Sequence, residues 1–225
     1  MSLAQKFSSI GLNRDYSELD FQSLSPDIQG WGSTNLVFQR AFELVKPRIV
    51  FEVGSWKGAS LCHMAGIAKT MDLPTEFICI DTWLGSNDTL WINPEFRKSL
   101  MLKGGYPTMF RQFIRNIHDQ NIQDRVYPLP MTSSAAYHLL KRLGITPDLV
   151  YVDAGHEEEE VRTDLNLYYS ALRPGGAIFG DDYSAAWPGV VGAVNRFAAD
   201  NSLLLATGAG KFFMQKPAGT QAAPT

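Results

Sequence analysis

The sequence predicts an α/β fold: a seven-stranded, mostly parallel sheet with helices on both faces and a C-terminal antiparallel β-hairpin. Three observations carry the prediction. Short apolar runs alternate with amphipathic segments of helical period from residue 48 to residue 199. Several of these runs end abruptly in an acid, the place where parallel strands present functional groups. The chain then closes on two strand-like runs around Gly208-Ala209-Gly210, and a wholly parallel sheet would not finish with a hairpin.

Taken in order, residues 1–30 mix Phe7, Leu19 and Phe21 with polar side chains, Pro26 and Gly30. They read as an irregular extension with one or two short helical turns. It is either a lid over the site or a segment packed on the core. The main domain is expected over 31–216. Asn35 to Val45 carries apolar residues at 36, 37, 41, 44 and 45, which suits a helix, and Pro47 ends it. Arg48–Val53 is the first strand, Gly54 to Gly58 a tight turn, and Ala59–Thr70 a helix facing Leu61, Met64, Ala65 and Ala68 inward. Thr75–Ile80 is the second strand, followed by Asp81. Residues 82–105 are long for a connection in a compact domain and read as a functional insertion at the carboxyl edge. It contains Trp83, Gly85, Asn87, Trp91, Pro94 and Gly104-Gly105. Tyr106–His118 is expected as a helix, Arg125–Leu129 as the third strand and Thr132–Leu143 as a helix. Leu149–Val152 and Ala177–Phe179 are strands four and five, joined by a helix with Val161, Leu165, Tyr168, Tyr169 and Leu172 on one stripe. Trp187–Ala199 is a helix, Leu203–Thr207 and Lys211–Gln215 form the hairpin, and 217–225 read as a disordered tail.

The bulk properties narrow the function. The 225 residues suffice for one good-sized domain. The net charge is −3 with no basic block, which argues against a nucleic-acid surface. No apolar run approaches the ~20 residues of a membrane span, and no signal peptide is visible, so a cytoplasmic location is expected. Cys62 and Cys79 sit in apolar contexts and read as buried, reduced thiols.

The turn after strand one, Glu52-Val53-Gly54-Ser55-Trp56-Lys57-Gly58, is E-x-G-x-x-x-G and not the G-x-G-x-x-G of dinucleotide binders. Its glycines let the backbone approach a ligand, and Gly58 opens a helix whose free N–H groups favour an anion. Glu52 would repel a pyrophosphate and suits an amino group. Asp81 could accept hydrogen bonds from a ribose diol. A ligand with a ribose, an amine and a carboxylate matches S-adenosylmethionine.

The second constellation lies at the ends of strands four and five. Asp153, His156, Asp181 and Asp182 should converge on one edge of the sheet. Three carboxylates and an imidazole suit a hard cation, with Mg²⁺ expected, beside a general base. Asp153 as a helix cap and Asp181-Asp182 as an ordinary loop are the plainer alternatives. His63, His118 and His138 read as structural or surface residues.

On FEVGSWKGAS (51–60), ICIDTW (78–83), DLVYVDAGHEEEEVRTDL (148–165) and LRPGGAIFGDDY (172–183), the chain resembles the class I S-adenosylmethionine-dependent methyltransferases. Within them it is similar to the macrocin-type, metal-dependent O-methyltransferases. The resemblance implies a Rossmann-like domain. It implies that Glu52, Gly54, Ser55 and Gly58 hold the methionine end of the donor, Asp81 and Thr82 the ribose, and the Thr132–Ser134 segment, with Ser133, the adenine. It implies His156 as base and Asp153, Asp181 and Asp182 as metal ligands. By analogy it also allows a homo-oligomer.

The function expected is therefore O-methylation of a hydroxyl on a small molecule, a sugar or natural product. The competing readings are a metal-independent N- or O-methyltransferase, a non-catalytic binding protein on the same scaffold, and a nucleotide-dependent oxidoreductase. The last is disfavoured by the missing G-x-G-x-x-G.

Overall fold

A computed structural model describes residues 1–86 and 90–219 of the chain. Positions 87–89 of the expected insertion, Asn87 among them, and positions 220–225 of the expected tail lie outside the described residues.

The strands are β1 (Ile49–Val53), β2 (Glu76–Asp81), β3 (Val126–Pro130), β4 (Leu149–Val152), β5 (Ala177–Gly180), β6 (Ala206–Gly208) and β7 (Lys211–Gln215). They form one sheet in the order β3-β2-β1-β4-β5-β7-β6. The pairs among β1 to β5 are parallel, and β7 runs antiparallel to both β5 and β6. The expected seven-stranded architecture with its closing hairpin is thus present.

The helices are α1 (Leu3–Ser8), α2 (Leu36–Val45), α3 (Ala59–Thr70), α4 (Pro94–Arg97), α5 (Phe110–Asp119), α6 (Ser133–Arg142), α7 (Glu158–Ala171) and α8 (Pro188–Asp200). Single 3₁₀ turns lie at Lys98–Leu100 and Gln123–Arg125. Side chains alternate across the sheet with period two. Val50, Phe77, Cys79, Tyr151 and Phe179 pack with α2, α3 and α5 on one face. Phe51, Ile78, Ile80, Val150 and Ile178 pack with α6, α7 and α8 on the other. Val161, Leu165, Tyr168 and Leu172 are buried from α7 as the spacing predicted, whereas Tyr169 is half-buried. Cys79 is buried and Cys62 half-buried, both as free thiols.

Two boundaries moved and one connection is partly helical, each for a local reason. The helix expected from Tyr106 starts at Phe110, because Pro107 disfavours a helical Tyr106. Lys103 and Tyr106 instead pair across Gly104-Gly105, with Lys103 N–H donating to the Tyr106 carbonyl at 2.9 Å. The first hairpin strand begins at Ala206 and not Leu203, since the Leu203 amide caps α8 by donating to the Ala198 carbonyl at 2.9 Å. The 82–105 segment is not wholly irregular: Asn93 caps α4 through its side chain, with Pro94 in the first turn.

The N-terminal extension is tied down along its length. Leu3 and Phe7 of α1 enter the core, and Phe7 stacks on Tyr127 with ring centroids 4.9 Å apart. Farther on, the chain crosses α5, where Gln112 Nε2 donates to the Ser25 carbonyl at 3.0 Å. Asn116 Nδ2 donates to the Asp27 carbonyl at 2.8 Å, and Lys57 pairs with Asp27 at 2.6 Å. This path brings Gly30 to Ser33 to the carboxyl edge of the sheet. Among the described residues no helix is long and apolar enough to cross a membrane.

Candidate active site

The strand order reverses between β1 and β4: β1 leads out to β2 and β3, and the chain then returns to β4 on the other side. Such a switch point opens a crevice beyond the carboxyl ends of the strands. A cavity of about 1030 Å³ lies there, walled by the ends of β1 to β5, the start of α6, the first turns of α7, and the N-terminal segment at Gly30, Trp31 and Ser33. That lies at the upper end of the roughly 300–1,000 Å³ usual for small-molecule sites.

The β1–α3 turn forms one wall. Gly54 has φ +87°, and a Cβ there would lie 1.8 Å from the Asp153 carbonyl oxygen. Only glycine permits that approach of two strand ends. Gly58, at φ +86°, is the N-cap of α3 and offers no side chain to the free amides of the first turn. Ser55, Trp56, Ala59 and Ser60 from this turn face the cavity.

Asp81 braces the turn. Its Oδ2 accepts from the Ser55 and Trp56 amides at 3.0 and 2.9 Å, and its Oδ1 accepts from the Trp83 amide at 2.7 Å. Trp56 and Trp83 both adopt positive φ, and Trp83 Nε1 donates to the Trp56 carbonyl at 2.9 Å. Asp81 therefore holds two non-glycine left-handed residues in place, a conformation that persists only where surrounding bonds over-determine it. Burial pushes its carboxyl above the usual range, and the backbone amides of Trp83, Trp56, Ser55 and Thr82 pull against that shift.

The acids of β4 and β5 form the opposite end. One carboxylate oxygen each from Asp153 and Asp182 and a ring nitrogen of His156 lie within 4.8 Å of one another. His156 Nε2 is 2.9 Å from Asp182 Oδ2, and the imidazole stacks on Trp187 with centroids 4.0 Å apart. Asp182 is held at φ +60°, and its amide donates to Asp181 Oδ1 at 2.8 Å. Asp181 is also engaged through Oδ2, by the ammonium of Lys211 and by Tyr151 Oη at 3.4 Å. Tyr151 donates to Asp153 Oδ2 at 2.9 Å and accepts from Lys211 Nζ at 3.2 Å. Burial, then the charges of Asp181 and Asp182, push the Asp153 carboxyl up to about 7, while Lys211 pulls it down. A cation bound beside Asp153 would relieve that mutual repulsion.

Of the predicted site residues, Gly54, Ser55, Asp81, Thr82, Ser133, Asp153, His156, Asp181 and Asp182 all line the one cavity. Gly58 is not among the lining residues, and a Cβ there would meet the Phe113 ring. Glu52 is placed differently from the expectation of direct contact with a ligand amine. It is 0% exposed beneath Ser60, whose Oγ donates to Glu52 Oε1 at 2.6 Å. Among the described residues its Oε2 has no partner, and burial pushes the carboxyl up to about 7. Asp181 is likewise set apart from the other two acids, because its charge already faces a buried lysine.

Three contributors were missed by sequence reasoning: Tyr151, Lys211 and Trp187. Tyr151 could have been found, since it precedes Asp153 by two residues on a strand and so shares its face. Lys211 is a lone cation at the head of an apolar run, the only available signal. Nothing in the sequence distinguishes Trp187.

Comparison with known proteins adds three findings. A family profile described as a methyltransferase domain matches residues 51–183. An uncharacterized protein of Acanthamoeba polyphaga mimivirus, R132, is 36% identical over 153 residues, 66% of this chain and 58% of that protein, so the chain spans less than two thirds of its length. Two solved structures share the fold. The O-methyltransferase NovP matches with TM-score 0.58 and 20% identity, covering 80% of this chain and 78% of that one. The O-methyltransferase TomG from Streptomyces achromogenes, solved with S-adenosylmethionine, matches with TM-score 0.55 and 15% identity over 97% of this chain and 100% of that one.

Proposed function

Because the chain belongs to the methyltransferase-domain family, whose profile covers more than half of it, we propose that it is an S-adenosylmethionine-dependent O-methyltransferase. Its acceptor is a hydroxyl of a small molecule, a sugar or natural product, and it uses a divalent cation, Mg²⁺ by the chemistry of its ligands. The observation that carries this reading is a single cavity with two unlike ends. One is the glycine turn with Asp81, and the other is the Asp153–His156–Asp182 cluster.

The residues fit the donor. The free amides that open α3 suit a carboxylate, and Ser55 and Ser60 supply hydroxyls beside them. Asp81 and Thr82 lie where a ribose would follow, and Ser133 where a base would end. Glu52 acts from behind the wall by fixing Ser60. The bound donor supplies an electrophilic methyl group on sulfur.

The residues also fit a hard cation. Asp153 and Asp182 offer carboxylate oxygens within reach of each other and of His156. Asp181 keeps Oδ2 on Lys211 and offers at most Oδ1, so it mainly fixes the Asp182 backbone. A cation held there would acidify and orient the acceptor hydroxyl.

His156 takes the hydroxyl proton. Asp182, 2.9 Å from Nε2, orients the imidazole for that role. Trp187 fixes the plane of the ring by stacking on it. Trp31, tilted on Trp56 at 5.8 Å and edge-on to Phe96 at 5.9 Å, forms an aromatic wall of the cavity.

The test is calorimetric binding of S-adenosylhomocysteine, followed by transfer of labelled methyl to a panel of hydroxylated acceptors with Mg²⁺ and with EDTA. Binding, EDTA-sensitive transfer, and a drop of about 10²–10⁴ in kcat for His156→Gln are expected. Transfer indifferent to both EDTA and His156→Gln would overturn the metal-and-base chemistry. Absence of binding would overturn the methyltransferase reading itself.

A further inference from the structure

Lys211 opens β7, in the C-terminal hairpin, yet it is only 1% exposed. Its ammonium is engaged by Asp181 Oδ2 and donates to Tyr151 Oη at 3.2 Å. The rings of Phe38 and Tyr151 lie beside it, with centroids 5.4 and 5.5 Å from Nζ. The N-terminal segment presses on the pair at Gly32, where a Cβ would come 3.0 Å from Asp181 Oδ2 and 3.1 Å from Lys211 Nζ. Burying a lysine is costly unless its charge is paired and its donors are used. The ammonium is thus fixed in the protein beside three carboxylates and has little room to swing away.

This pairing divides the three acids unequally. Asp181 uses both oxygens within the protein, Oδ2 on Lys211 and Oδ1 as acceptor of the Asp182 amide at 2.8 Å. Among the described residues, the ligand atoms close enough to share one ion come from Asp153, His156 and Asp182, and Asp181 contributes none. Affinity for a hard cation rises with the number of carboxylates that reach it. A lysine bonded to one carboxylate lowers that number by one and sets a repelling charge near the ion.

We infer that Lys211 is a positioning residue for the metal site, a resident cation that withdraws Asp181 from the ligands, so that Asp153 and Asp182 hold the ion and positions stay open for the acceptor's oxygen. This inference rests on the metal reading above. Magnesium bound through one or two carboxylates, with waters and substrate oxygens completing its shell, suits that arrangement. The sign of the effect separates this role from a merely structural one. Loss of a structural support loosens a metal site, whereas loss of Lys211 returns a third carboxylate to it.

The experiment uses Mn²⁺ as the probe, with binding to the full chain read from the electron paramagnetic resonance signal of the free ion at constant pH. Lys211→Met should bind Mn²⁺ about 10-fold or more tightly than wild type. The double variant Lys211→Met/Asp181→Asn removes both charges and keeps an acceptor for the Asp182 amide. It should stay within about three-fold of wild type, because neutral replacement of both partners of a buried pair is well tolerated. Asp182→Ala should lose binding. Weaker or unchanged binding in Lys211→Met, a larger loss in the double variant, or indifference to Asp182→Ala would each overturn the assignment. Should Lys211→Met fail to fold, the double variant, which carries no uncompensated charge, decides the matter alone. Absence of Mn²⁺ binding in wild type would remove the metal reading and this inference with it, while calorimetry with S-adenosylhomocysteine reports separately whether the donor site stands.

Discussion

Replacing Lys211 with methionine should destabilise the protein mainly at alkaline pH. Lys211 is 1% exposed, with its ammonium on Asp181, 3.2 Å from Tyr151 Oη and 5.4 Å from the centre of the Phe38 ring. Methionine fills similar volume but leaves Asp181 as an uncompensated buried charge beside Asp153 and Asp182. Breaking one side of a buried pair in this way costs about 3–5 kcal/mol. For a chain of this size that is roughly 6–20 °C in Tm. The sign with pH follows from Asp153, whose carboxyl is already pushed up to about 7 with Lys211 pulling it down. Without Lys211 the folded Asp153 carboxyl holds its proton to higher pH, whereas in the unfolded chain it releases it near its ordinary value of 3.8. The folded state then binds more protons than the unfolded one across that window, so stability falls as pH rises through it. Urea denaturation of wild type and Lys211→Met at pH 5 and pH 8 measures this. The deficit should be large at pH 8 and much smaller at pH 5, and Asp181→Asn added to Lys211→Met should recover most of it. A deficit under about 1 kcal/mol at pH 8, or one equal at both pH values, would refute the claim that this lysine neutralises the acid cluster.

Two other predictions concern the cofactor wall. Gly54→Ala combines a positive φ with a Cβ 1.8 Å from the Asp153 carbonyl oxygen. It should either abolish soluble expression or eliminate S-adenosylhomocysteine binding, and near-wild-type binding would show that the strand ends can separate. Glu52 has a folded carboxyl pushed from 4.5 up to about 7 by burial, so the stability it gives is present at low pH and is lost as pH rises through that range. Glu52→Gln, which mimics the protonated form, should leave stability at pH 5 nearly unchanged and raise it at pH 8 by at most about 3 kcal/mol, read by chemical denaturation.

How far the chain could be read in advance follows from where each signal resides. The β4–α7–β5 unit was legible because both strands are apolar runs bounded by acid, and because Val161, Leu165, Tyr168 and Leu172 repeat at helical spacing. The convergence of Asp153, His156, Asp181 and Asp182 followed from topology alone, since parallel strands place their carboxyl ends together. Pairing was not legible. Lys211 meets Asp181 only because β7 is antiparallel to β5, so that the start of one strand faces the end of the other. Asp81 was expected to face a sugar, and its three backbone bonds depend on two tryptophans at positive φ that no local pattern announces. Glu52 was placed on the right strand, but its alternation sends it beneath α3 and away from the open crevice. The N-terminal segment carries no periodicity, and its path is fixed by long-range bonds such as Lys57 to Asp27.

The charges of the cavity also constrain the acceptor. Seven aspartates and glutamates line it, and no lysine or arginine does among the described residues. Lys211 offsets Asp181 from behind, and Arg162 pairs with Glu159 on the rim. A divalent cation would offset two more charges and the net charge of the donor one, which leaves about two negative charges facing the acceptor. At about 8 Å and an effective dielectric of about 40, each costs an added anion ~1 kcal/mol, or roughly 30-fold in kcat/KM for the two together. Matched acceptors measure this: catechol, dopamine and 3,4-dihydroxybenzoate share one reacting group and differ in charge. The same comparison can be made between a methyl glycoside and the corresponding nucleoside-diphosphate-linked sugar. The anionic member of each set should be the poorest substrate, and salt should narrow the gap by screening it. An anionic acceptor turned over as fast as its neutral partner would mean that a cation enters the site from outside the described lining, and that the acids are balanced by something other than the donor and a metal.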